Sequence, residues 1–159
     1  MLKRLFLGLP LVIGLFVGII AAPVWAEEEA AKPDEATLER NAEEVLFATS
    51  KEQGAPKGAV TLANTFRRYL LAGNNKKVLA LFAEEDQDYY HDRIMLMKKK
   101  DLQTQGLYFR KAKCASATDK SAVYNYRPNT KYKIGNLYMK FDGKKWWCTD
   151  WFQSTKYAK

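Results

Sequence analysis

The sequence predicts an α+β domain in which two or three helices pack on a four-stranded antiparallel sheet. Three observations predict it. Apolar residues recur at helical spacing as far as Phe82, then at every second position in the carboxyl-terminal third. Asp142-Gly143 separates two ring-rich runs within residues 135–152, as the turn of a β-hairpin does. The chain has 159 residues, 47% of them hydrophobic, which suits one core with extra terminal segments.

Residues 1–26 read as an export signal. Lys3 and Arg4 precede an apolar stretch, and Val24-Trp25-Ala26 stands before three glutamates like a small-residue cleavage site. An uncleaved anchor is the alternative, because residues 5–26 are long enough to span a bilayer. Either way residue 27 onward is expected outside the cytoplasm, periplasmic or secreted. Residues 27–57 read as an acidic arm with a short helix from Asp34, carrying Leu38, Ala42, Val45 and Leu46, followed by a linker containing Gly54, Pro56 and Gly58.

Residues 58–159 form the expected domain. Val60, Ala63, Phe66 and Leu70 make one helical stripe that Gly73 ends, and Asn74 or Asn75 caps a shorter helix through Val78 and Leu81. Residues 84–88 read as an acidic loop, and Asp88 as the cap of a third helix through Ile94 and Met97 towards Leu102. Gly106 marks the switch to period two. Strands are expected from Leu107, through Ala122, Tyr124 and Tyr126, over residues 131–141, and in the last hairpin arm. A two-residue turn would set Met139 opposite Trp146, Leu137 opposite Cys148 and Tyr138 opposite Trp147.

Charge is uneven. Residues 27–52 hold nine acidic and three basic side chains, whereas residues 53–159 hold nine acidic and 21 basic. A basic domain behind an acidic arm suits a polyanion, an anionic lipid surface or an acidic partner, with Lys98, Lys99, Lys100, Arg110, Lys111 and Lys113 as the candidate patch. Solvated, dispersed lysines explain the same numbers.

Cys114 and Cys148, both in expected strands of an exported chain, suggest one disulfide. With one histidine and no Cys-x-x-Cys spacing, no metal or cofactor is expected. Phosphate loops, dinucleotide fingerprints, metalloprotease helices and serine elbows are missing from the sequence. Proton-transfer candidates reduce to His91, Asp92 and Asp150. Tyr126, Tyr138, Trp146, Trp147 and Trp151 exceed what one sheet face can bury, and they are the candidate binding residues.

The runs Leu70-Leu71-Ala72-Gly73-Asn74-Asn75 and Val78-Leu79-Ala80-Leu81-Phe82, with the Asp142-Gly143-Lys144-Lys145-Trp146-Trp147 ending, resemble the nuclear transport factor 2-like superfamily, also called cystatin-like or ketosteroid-isomerase-like. The similarity covers residues 59–151. It implies a cone, with a curved sheet around the helices and a pocket at its open end. No catalytic pattern of the superfamily's enzymes matches here position by position. The expected function is therefore an exported, non-catalytic binding or assembly module with a protein partner or a second copy of itself. A small hydrophobic ligand in an isomerase-like or hydrolase-like pocket is the second reading, and a polyanion or anionic-lipid binder the third. Export argues against nucleic acid as a partner.

Overall fold

A computed structural model describes residues 34–127 and 134–154, the last three by backbone alone. The expected export signal and the start of the acidic arm lie outside the described residues. Five helices precede four strands: α1 (Glu35–Glu52), α2 (Lys57–Ala72), α3 (Asn75–Leu79), α4 (Glu84–Met95), α5 (Lys99–Phe109), β1 (Lys113–Ala117), β2 (Ser121–Tyr126), β3 (Ile134–Phe141) and β4 (Trp146–Ser154). The strands form one antiparallel meander in the order β1-β2-β3-β4.

The expected third helix, through Ile94 and Met97 towards Leu102, is two helices, α4 and α5, and two neighbouring stretches were misread. Residues 84–88 open α4, because Glu84, Glu85 and Asp86 in a first turn complement the positive end of the helix dipole. Leu107 and Phe109 belong to α5, and β1 begins only at Lys113. Leu102, Gly106 and Phe109 share the buried face of α5, and a Cβ at Gly106 would lie 2.8 Å from the Leu71 backbone nitrogen. This glycine marks a close helix crossing, where α2 and α5 touch. It does not end the helix.

The helix expected to be short, α1, has 18 residues. Asp34 caps it by accepting the Thr37 N–H at 2.6 Å, and Leu46 and Ser50 are buried. Ser50 is held to the Leu46 carbonyl at 2.6 Å and lies 2.9 Å from the Tyr124 hydroxyl of β2. Burial pushes the Tyr124 phenol up to about 12. The stripe of α2 is as expected, with Val60, Ala63, Phe66 and Leu70 buried, and Gly73 ends it at φ 63°. Asn74 caps α3 through the Lys77 N–H at 3.0 Å.

The last hairpin departs from its expected register. Only Gly143, and not Asp142, has positive φ, so a type I′ turn is excluded. Instead the Asp142 carboxylate accepts the N–H groups of Lys144 at 2.7 Å and Lys145 at 2.8 Å, forming a four-residue loop. Phe141 therefore pairs with Trp146, Lys140 with Trp147 and Met139 with Cys148; a bulge at Thr149 then sets Tyr138 against Asp150 and Leu137 against Trp151. The bulge returns Trp151 to the helix-facing side.

The core lies between the sheet and α2, α4 and α5. Phe66 meets Trp151 and Phe109 edge-on, each with ring centroids at 5.3 Å, and Trp151 Nε1 donates to the Tyr126 hydroxyl at 2.7 Å. Tyr126 and Trp151, expected to bind a partner, are 3% and 1% exposed and belong to this cluster. Segment 81–83 covers the edge of β4: Cys148 N–H donates to the Leu81 carbonyl at 2.9 Å, and Ala83 N–H to that of Cys148 at 3.2 Å.

The sheet order rules out the expected disulfide. Cys114 and Cys148 lie on opposite edge strands with β2 and β3 between them. Three strand spacings put them about 14 Å apart, twice the roughly 7 Å a disulfide spans. Both are buried free thiols, and burial pushes each above its ordinary range. Mass spectrometry of unreduced protein alkylated after unfolding should find both modified; a Cys114–Cys148 peptide would refute the sheet order.

Candidate functional site

The proton-transfer candidates are not assembled into one group. His91 and Asp92 are exposed and pair with each other, Nδ1 to Oδ1 at 3.0 Å. Asp150 instead accepts the hydroxyl of Tyr90, which in turn accepts the Trp151 N–H at 3.2 Å. Burial first, and the Asp150 carboxylate second, push the Tyr90 phenol well above its ordinary range. Tyr90 is thus a neutral donor tying α4 to β4. Its buried position in α4 follows once residues 84–88 are read as helix. Among the described residues no group of three His, Cys, Asp or Glu side chains could hold a metal ion.

The aromatic candidates divide. Trp146 is half-buried against the core and stacks on Phe141 at 5.8 Å. Trp147 faces away from the helices but is engaged by its own turn: its Nε1 donates to Asp142 at 2.7 Å, and Lys145 Nζ lies 3.3 Å from its ring centre. Tyr138, 37% exposed, is an open ring on that face.

The expected basic patch also splits. Lys98, Lys99 and Lys100 are exposed at the start of α5, whereas Arg110, Lys111 and Lys113 follow its far end, about 16 Å away along an 11-residue helix. Arg110 is not available, because its guanidinium is bonded to Glu35 and Glu39 of α1. Burial alone would lower its pKa; those two carboxylates raise it.

What Lys98, Lys99 and Lys100 join is the junction of α2, α3 and α4. Gly73, Asn74, Lys76, Met95 and Lys99 line an open depression of about 380 Å³, while Lys77 Nζ lies 5.4 Å from the Tyr69 ring centre. Asn75 clamps this end: its amide donates to the carbonyls of Ile94 and of Met97, the latter at 2.9 Å. Lys99 packs against Gly73 at the carbonyl end of α2, where the dipole favours a cation, whereas Lys98, Lys99 and Lys100 also open α5, where it does not. Among the described residues no lysine takes part in an ion pair. Lys76 and Lys77 were not part of the expected patch, although the Asn-Asn-Lys-Lys run after a helix-ending glycine was a usable signal. The chain matches no protein-family model, no curated protein and no solved structure.

Proposed function

We propose that this protein is an exported, non-catalytic binding module whose working surface is the lysine-rich end of its helical layer and whose partner is anionic. The observation that carries this reading is one depression lined by Lys76 and Lys99, with Lys98 and Lys100 flanking Lys99 in the chain and, among the described residues, none of the four in an ion pair. Unpaired cations on a rigid junction attract an anion without first breaking an internal bond. The separated proton-transfer candidates speak for binding over catalysis. Membership of the nuclear transport factor 2-like superfamily, with its cone-like wrap, belongs to the same proposal.

Retention on immobilised heparin tests it. The wild-type chain should bind at low ionic strength and elute as salt rises, since exposed charges are screened within a Debye length of about 8 Å at physiological salt. Lys98→Gln/Lys99→Gln/Lys100→Gln should elute earlier, and Lys111→Gln/Lys113→Gln should elute nearer to wild type. No retention of the wild-type protein would refute the proposal. A second reading, a protein partner or second copy on the open sheet face, is favoured by Tyr138 alone; Tyr138→Ala would then shift the mass found by light scattering.

A further inference from the structure

We infer that the anionic partner is the surface of a lipid bilayer, with Leu96 entering the headgroup layer and the lysines around it meeting lipid phosphates; this rests on the anion-binding reading above. Leu96, at 81% exposed, is more open than any other large apolar residue described. It follows Met95, which lines the depression with Lys76 and Lys99, and only Met97 separates it from Lys98, Lys99 and Lys100. Residues 93–100 hold four basic and no acidic side chains. The nearest acidic neighbours in sequence are Asp92, an exposed carboxylate one turn before Leu96 that lies 3.0 Å from His91 Nδ1, and Asp101 in the first turn of α5.

Leu96 is presented, not loose. Ile94 is fully buried beneath it, and the Asn75 amide holds the carbonyls on both sides of residues 95 and 96. An apolar tip within a stretch of four basic residues matches a bilayer in both respects. Acyl chains receive the leucine, while lysine stems extend along the interface and place their ammonium groups at phosphate level. A dissolved polyanion satisfies the lysines and gives Leu96 nothing.

The test follows amide hydrogen exchange of residues 94–100 in the full chain, mixed with vesicles of phosphatidylcholine alone or of phosphatidylcholine with phosphatidylglycerol. The readout is local, so it reports this surface however residues 5–26 treat the vesicle. Protection should arise on the mixed vesicles only and vanish at high salt. Read against lipid concentration, Lys98→Gln/Lys99→Gln/Lys100→Gln should weaken docking by about 100-fold. Leu96→Ser should weaken it by about ten-fold, and being a surface change it leaves the fold intact. Heparin retention without vesicle protection overturns the bilayer and leaves the anion reading standing. Neither effect overturns both. Equal protection on neutral vesicles, or an unchanged Leu96→Ser, overturns the arrangement proposed here.

Discussion

Two groups of cations in this domain meet opposite fates. Beneath α1, Arg67, Arg68 and Arg110 face Glu35, Glu39 and Glu43: Arg67 lies 3.5 Å from Glu39, Arg68 lies 3.4 Å from Glu43, and Arg110 is bonded to Glu35 and Glu39. At the other end, Lys76, Lys98, Lys99 and Lys100 form no ion pair among the described residues. The acidic helix therefore neutralises only the face on which it lies, and it does so through planar guanidinium forks that suit carboxylates. Net charge summed along a sequence says how many cations there are. Where they remain available depends on which of them an acidic segment covers.

The arginine side carries the internal tension. Arg67 is 1% exposed, yet its Nε and Nη1 meet no acceptor, and the Asn64 Oδ1 one turn away meets no donor. Burial lowers the Arg67 pKa against the opposing pull of Glu39 and Glu43. A water between these groups would satisfy both.

Three experiments break or sharpen the contrast. Glu39→Gln should cost most, about 3 kcal/mol in urea unfolding, because it strips the nearest anion from a buried cation. A loss below about 1 kcal/mol would mean the arginine face does not hold α1. Arg67→Met should cost less than about 1 kcal/mol, since a shape-matched apolar side chain removes two unsatisfied donors while Glu39 keeps Arg110. Lys98→Gln/Lys99→Gln/Lys100→Gln should change stability by no more than about 0.5 kcal/mol, as expected of solvated surface charge, even though it disables binding.

The smallest effect lies outside both regions. Bonds from the Lys145 N–H, the Trp147 indole and the Lys144 N–H hold the Asp142 carboxyl down to about 2. A carboxyl depressed on folding contributes stability that is present above its unfolded pKa of about 3.9 and is lost as pH falls through the folded value. The Trp147 fluorescence of this turn should therefore stay constant down to pH 4 and change with a midpoint of about 2. A midpoint near 4 would show that the turn does not form as described.

Local signals were legible wherever one element decides its own form. The Val60, Ala63, Phe66, Leu70 stripe, Gly73, the Asn74 cap and the Tyr124 and Tyr126 alternation all read correctly, because period and capping depend on neighbours in sequence. Gly106 misled because its meaning lies in Leu71, 35 positions away in the chain. Trp151 misled because parity along a strand cannot reveal a bulge at Thr149, and Tyr126 because its hydroxyl is taken by the Trp151 indole of another strand. The candidate site was half legible: Lys98, Lys99 and Lys100 stand in a row, whereas Lys76 joins them only through the α3–α4 junction.

By itself the sequence determined the α+β class, the four-stranded meander, the Gly73 stop of α2, the Asn74 cap of α3 and the surplus of basic over acidic groups, all properties of composition and short-range periodicity. Only the tertiary structure decided which cations are covered, which rings are core, and that the two cysteines stand on opposite edges of the sheet. Those outcomes depend on contacts between segments distant in sequence, and the free energy of such contacts is a property of the packed arrangement, not of any local stretch.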